Sequence, residues 1–157
     1  MKRSLVLLAA VVLACVSPAY AQQKDIVDTA VAAGNFTTLA RLLTDAGLIP
    51  VMKGPGPYTV FAPTDEAFAK VPKATLDALA KDKAKLQDVL KYHVLTSAWT
   101  SDDLRLVKST GTVQGKPVTF AFAGSAITVN NAKVVKADIK CVNGVVHVID
   151  TVLLPPQ

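Results

Sequence analysis

Apolar positions recur at helical spacing through the first half of the chain and at alternate positions through the second. Over residues 24–48, Ile26, Val27, Ala30 and Val31 share one face, Gly34-Asn35 interrupts, and Phe36, Leu39, Leu42 and Leu43 resume spacings of three and four. That pattern predicts two consecutive amphipathic helices, the second stopped by Gly47. Lys53-Gly54-Pro55-Gly56-Pro57 is a cluster of turn residues leading into Tyr58-Thr59-Val60-Phe61-Ala62, whose β-branched and aromatic side chains suit a strand. Residues 74–95 carry two more helical periods, Leu76 with Leu79 and then Leu86, Val89, Leu90 and Val94, with Asp82 placed to cap the second. From Val107 onward the period becomes two. Strand-forming runs occupy 112–113, 117–122, 126–129, 133–137, 139–142 and 145–153, punctuated by Gly115, Gly124, Asn130-Asn131 and Asn143-Gly144. Helices followed by strands indicate the α+β class, and Asn143-Gly144 reads as a type I′ hairpin turn.

The segment 56–72, GPYTVFAPTDEAFAKVP, compresses several signals. Pro63 has no N–H to donate and ends the strand, the Thr64 hydroxyl caps a following helix, and Asp65 and Glu66 place negative charge at its first turn. Phe68 and Val71 then supply an apolar helical face. This segment resembles the first signature motif of the fasciclin domain. The run Asn143-Gly144-Val145-Val146-His147-Val148-Ile149-Asp150, continuing to Pro155, resembles the second, and Tyr92-His93-Val94 matches the Tyr-His motif between them. The three occur in the family's order from about Lys24 to Pro155, and the resemblance implies a fasciclin-like fold, helices packed against a twisted, mostly antiparallel β wedge. In that family the Tyr-His pair is associated with fold integrity and cell attachment, which the resemblance carries to Tyr92 and His93 as candidate binding residues; the residues themselves read as a structural pair, Tyr92 packed with its hydroxyl hydrogen-bonded and His93 tying the helix end to the sheet, and the two roles can coexist. Lys24-Asp25-Ile26-Val27 is similar to short Asp-Ile segments implicated in integrin attachment in animal members, so Asp25 and Ile26 are candidates of the same kind. Phe61, Pro63, Thr64, Asp65, Phe68, His147 and Asp150 are expected to be structural residues of the motifs.

Lys2-Arg3, an apolar run over 5–14, Ser17-Pro18 and then Ala19-Tyr20-Ala21 follow the pattern of a secretory leader, with cleavage expected before Gln22. Residues 22–157 are then one domain. A competing reading takes Val12-Leu13-Ala14-Cys15 as a loose lipoprotein box that would leave Cys15 acylated. The apolar run is shorter than the roughly 20 residues a bilayer-spanning helix requires, so the expected location is periplasmic or secreted. Without Lys2 and Arg3 the 17 basic residues become 15 against 12 acidic ones, a net +3. Lys81, Lys83 and Lys85 alternate with Asp82 and other residues as a solvated face does, and no basic stripe suggests nucleic acid. Loss of Cys15 with the leader leaves Cys141 alone in the apolar run Ile139-Lys140-Cys141-Val142, where a buried, inert thiol is expected.

Chemistry rests on two histidines, His93 and His147. Alternation along 145–152 puts His147 with Val145 and Ile149 on one face and Asp150 with Val146 and Val148 on the other. Both faces are apolar, so the strand reads as central and His147 as structural; two histidines without matched Cys or carboxylate spacing fall short of a zinc set. Gly124-Ser125-Ala126 lacks the Gly-x-Ser-x-Gly nucleophile pattern, and no cofactor, metal or catalytic constellation is expected. The family resemblance therefore implies an exported, non-catalytic cell-adhesion or extracellular-matrix module whose partner is a cell-surface or matrix protein or polysaccharide, with weak self-association allowed. The alternative is a carrier of an apolar small molecule such as a pigment or lipid, with Phe120, Phe122 and Trp99 as lining groups.

Overall fold

The computed structural model describes residues 24–156. The leader expected at 1–21, its cleavage before Gln22 and the Cys15 anchor lie outside the described residues.

Among the described residues, seven helices build one layer and part of another. Helix α1 (Ile26–Ala33) starts at Asp25, whose carboxylate accepts the Asp28 N–H at 2.8 Å, and stops at Gly34, which takes the left-handed conformation at φ 76°. Helix α2 (Thr37–Ala46) buries Leu39, Leu42, Leu43 and Ala46, the stripe expected from its spacing. After the short α3 (Ile49–Met52), strand β1 (Tyr58–Pro63) runs into α4 (Asp65–Ala69), capped by the Thr64 hydroxyl on Ala67 N–H at 3.2 Å. Helix α5 (Lys73–Lys81) meets α6 (Lys83–Tyr92) at Asp82, which caps α6 by accepting from Lys85 N–H at 3.2 Å.

The remaining strands are β2 (Val94–Thr96), β3 (Ser109–Gly111), β4 (Pro117–Ala123), β5 (Ala126–Val129), β6 (Ala132–Cys141) and β7 (Gly144–Ile149). They form one seven-stranded sheet in the order β2-β1-β7-β6-β5-β4-β3. Every neighbour pair is antiparallel except β1 with β7, which run parallel in register from Tyr58 opposite Gly144 to Pro63 opposite Ile149. An isolated bridge between Leu95 and Thr112 draws the two edge strands together, curling the sheet into a barrel-like wedge.

Side-chain alternation along β1 and β7 divides the core in two. Val60, Ala62, Val146 and Val148 face the helical layer and pack with Ile26, Leu39, Leu43, Phe68, Leu86 and Leu90. Phe61 and Ile149 face the other way and pack inside the wedge with Leu95, Leu104, Val118, Phe120, Val129 and Leu153. The β1–β7 pair is thus a wall common to both cores, which is why all six residues of β7 are buried.

The sequence pattern departs from the structure at several points. Helix α7 (Ser101–Arg105) lies among the strands, started by a reciprocal capping box of Thr100 and Asp103. The strand expected at 112–113 is β3, three residues earlier, and the short β2 was not anticipated. The runs 133–137 and 139–142 are one strand, β6, with two register shifts, and the final strand ends at Ile149 rather than at residue 153. Val142-Asn143 form the β6–β7 turn. Asn143 is not among the residues with positive φ, so the turn is not type I′. Gly144 is instead required by packing, because a Cβ there would fall 1.9 Å from the Tyr58 carbonyl oxygen on β1.

Candidate functional site

Tyr92 and His93 stand where α6 meets the sheet, and both are buried, at 1% and 3% exposure. The Tyr92 hydroxyl donates to the Pro117 carbonyl at 3.0 Å and accepts from Asn130 Nδ2 at 2.9 Å, tying α6 to the start of β4 and to the β5–β6 turn. His93 Nδ1–H donates to the Val89 carbonyl at 2.7 Å, which leaves Nε2 to accept the Leu153 N–H at 2.9 Å. Burial pushes the His93 pKa down to about 4, against the Val89 carbonyl, which favours the charged ring. A neutral imidazole with both nitrogens committed to backbone has no free acid or base function. The pair holds the helix end to the wedge and to the C-terminal segment.

Ile26 is also buried, and together with His93 it lines a small apolar cavity of about 30 Å³ between α1, α2, α6 and the β1–β7 wall. Asp25, next to Ile26 at the N-cap of α1, is half-exposed. Its carboxylate meets Lys53 Nζ at 3.1 Å, and the same ammonium reaches Asp28 at 2.7 Å. Desolvation raises the Asp25 pKa, but the Asp28 N–H and the Lys53 ammonium outweigh it and bring the carboxyl below its usual value. Asn143 completes this corner: its Oδ1 accepts the Ile26 N–H at 3.1 Å and its Nδ2 donates to the Met52 and Gly54 carbonyls at 2.7 and 3.2 Å. Beside it, Pro55–Pro57 and residues 140–145 line a surface groove of about 520 Å³, with Val142 59% exposed at the hairpin tip. The structure brings Ile26 and His93 to one cavity and leaves Asp25 and Tyr92 apart from it and from each other.

His147 is fully buried in β7 and stacks on Phe61, ring centroids 5.6 Å apart. Its Nε2–H donates to the Trp99 carbonyl at 2.8 Å, and Nδ1 accepts the Asp138 N–H at 3.3 Å. Burial pushes its pKa down, against the Trp99 carbonyl and the Asp138 charge. Asp138 has φ 59° at the second shift of β6, and its carboxylate takes the Ser101 N–H and hydroxyl at the start of α7. His147 therefore anchors a bulge that in turn anchors a helix. Asp150 does comparable work at the far end of β7, accepting the Lys133 N–H at 2.9 Å and pairing with Lys70 at 3.7 Å.

Phe61 is fully buried, Pro63 pairs with Ile149 at the end of β1, and Phe68 packs in the helical core. Of the aromatic groups proposed to line a carrier pocket, Phe120 is buried inside the wedge, and Phe122 and Trp99 pack half-buried against it. Arg105 lies over the Phe122 ring at 5.4 Å. Cys141 is half-buried, donates to Thr29 Oγ1 at 3.3 Å, and its thiol pKa is raised by burial. Among the described residues no cluster of three His, Cys, Asp or Glu is placed to hold a metal ion, and no helix is long and apolar enough to cross a membrane.

A helical layer and a curled wedge sharing one parallel strand pair, with the Tyr-His pair at their junction, define the class of this domain. The chain belongs to the fasciclin domain family, whose model matches residues 34–155. It is 41% identical to an uncharacterized protein of Synechocystis sp., over 83% of this chain and 97% of that one. It is 40% identical to the cell surface glycolipoprotein MPB83 of Mycobacterium bovis, over 74% of this chain and 51% of that one. With the transforming growth factor-beta-induced protein ig-h3 of Sus scrofa the identity is 38%, over 77% of this chain and 18% of that much longer one. The fold matches a solved FAS1 domain pair from the insect cell adhesion molecule fasciclin I with a TM-score of 0.65, covering 80% of this chain and 47% of that one at 24% identity.

Proposed function

We propose that this is an exported, non-catalytic fasciclin domain that acts as a cell-adhesion or extracellular-matrix interaction module, released from its leader before Gln22 and working in the periplasm or outside the cell. The observation that carries the reading is family membership, together with a mycobacterial relative named as a cell-surface protein and an insect structure named as an adhesion molecule. The commitment of both histidines to backbone groups supports the non-catalytic part. Contact with a surface protein or polysaccharide falls to exposed groups, and the corner of Asp25, Lys53, Lys140 and Val142 offers charge of both signs beside an exposed apolar residue. Tyr92 and His93 serve that surface by holding the fold.

The test is adsorption of the labelled chain starting at Gln22 to cells and matrix polymers of its host over a range of salt, beside Lys140→Glu and Val142→Asp variants. Saturable binding that weakens in both variants with unchanged melting is the expected result. Absence of binding by the unaltered chain under every salt condition overturns the reading.

A further inference from the structure

Among the described helices, α5 alone has no buried residue. It is held by half-buried Leu76 and Leu79, which pack against the helical core. Beneath it lies a nearly enclosed apolar cavity of about 10 Å³, walled by residues that include Leu76, Leu79, Val89 and Leu154. Three of these, Leu79, Val89 and Leu154, also form the apolar floor of an open groove of about 410 Å³ between α5, α6, the loop before β4 and the C-terminal strap of Leu154, Pro155 and Pro156. The groove is within the size range of small-molecule pockets. Leu154 stands on its lip 49% exposed, an apolar surface that a ligand would cover.

The polar groups of the groove are unevenly charged. Lys85 and Lys116 are set against the single carboxylate of Asp88, with Thr75 and Gln114 as neutral partners. Lys85 is 72% exposed and holds Asp82 at 3.5 Å, and Lys116 donates to the Pro156 carbonyl. An exposed ion pair such as Lys85–Asp82 is weak, and both ammonium groups exchange readily for a better acceptor. An apolar floor that continues under a lightly anchored helix, with two ammonium groups at its mouth, is matched to one kind of molecule.

The geometry points to this groove as a binding site for a single-chain amphiphile with an anionic head, such as a fatty-acid carboxylate. The head meets Lys85 and Lys116, and the alkyl chain covers Leu154 and runs along Leu79 and Val89, lifting α5 to enter the cavity beneath. The proposal is independent of the adhesion reading and lies away from the barrel aromatics.

Amide shifts of the ¹⁵N-labelled chain are to be titrated with dodecanoate below its micelle concentration, with dodecyltrimethylammonium and ethanoate as controls for charge and chain. Saturable shifts in α5 and in residues 154–156 with dodecanoate, and at least tenfold weaker binding of both controls, are expected. The Lys85→Glu/Lys116→Glu double variant, both changes being on the surface, is expected to keep its melting temperature and to bind dodecanoate about tenfold more weakly. No saturable shift, shifts confined to another part of the fold, or equal binding of the cationic amphiphile overturns the proposal. Undiminished binding by the folded double variant does so as well; should that variant not fold, the head-group comparison on the unaltered chain still decides.

Discussion

Asp65 caps a helix to which it does not belong. It is the first residue of α4, yet its two carboxylate oxygens accept the N–H groups of Thr37 at 3.2 Å and Thr38 at 2.8 Å, at the start of α2. Phe36, the residue at the N-cap of α2, provides no side-chain bond of its own and is buried in the core instead. Burial raises the Asp65 pKa, but these N–H groups hold it below the usual carboxylate value. Asp65→Ala is therefore expected to lower unfolding free energy by about 1–2 kcal/mol, whereas the exposed neighbouring Glu66→Ala stays within about 0.5 kcal/mol; equal costs in urea titration would refute the cross-helix cap. The sequence makes the caps at Thr64 and Asp82 legible because their acceptor and donor are three residues apart. The second role of Asp65 was not legible, because its partners are 27 and 28 residues away. The same distinction applies to His147. Alternation placed it inside a central strand, but not against the Trp99 carbonyl and the Asp138 N–H. Removing the ring leaves both groups unpaired, and His147→Ala should cost about 1–3 kcal/mol. An unchanged denaturation midpoint would count against the two bonds.

At the scale of the strand, β6 shows what a slip in alternation means. Ala132 and Val134 pack into the wedge, whereas Ile139 and Cys141 pack on the opposite, helical side. Two register shifts, between Val134 and Lys136 and between Lys136 and Ile139, each put one extra residue into β6, so the alternation is lost at the first and restored at the second. In the sequence the interrupted strand reads as two. That they are continuous follows from the pairing of both halves with β7. The partner pair β1–β7 depends on a close approach that no pattern announces. A Cβ on Gly144 would lie 1.9 Å from the Tyr58 oxygen, and one on Gly56 would lie 2.0 Å from that of Asn143. Since backbone on both sides must move, Gly144→Ala is expected to cost about 3 kcal/mol or more. Retention of the native melting temperature would show that the parallel pair is looser than it is drawn. Arg105 and Ser101 extend the argument to α7, which reaches the Gly124 and Ser125 carbonyls at one end and Asp138 at the other, closing the wedge where β5 and β6 diverge.

For the whole molecule, the two histidine anchors couple stability to acidity. His93 is neutral in the fold down to about pH 4, while an unfolded chain protonates it below its ordinary value of 6.5. Above pH 6.5 both states are neutral and the anchor contributes fully. As pH falls from there through 4 the unfolded state binds a proton that the native state does not, and stability is lost, by about 3 kcal/mol from His93 alone. His147 is displaced in the same direction and adds to the effect. Calorimetric melting temperatures should therefore fall steadily from pH 7 to pH 4, before the carboxylates with lowered pKa values, such as Asp65 and Asp150, begin to protonate. A melting temperature constant over that interval would mean that the rings are reached by solvent.

The one-dimensional record by itself determined the helix-then-strand order, the caps at Thr64 and Asp82, the central and doubly apolar β7, and the family, since each is written in spacings of a few residues or in short motifs. Only the tertiary structure decided that β1 and β7 lie parallel as a wall between two cores, that Pro117 and Asn130 are the partners of Tyr92 and Val89 and Leu153 those of His93, and that Asn143 gathers α1, the residue-54 turn and the hairpin into one corner. It alone placed Leu79, Val89 and Leu154 under the same groove. The reason is physical: caps and amphipathic faces are satisfied within a turn or two of the chain, whereas a buried hydrogen-bond partner or a cavity wall is whatever distant residue the packing of the cores brings within reach.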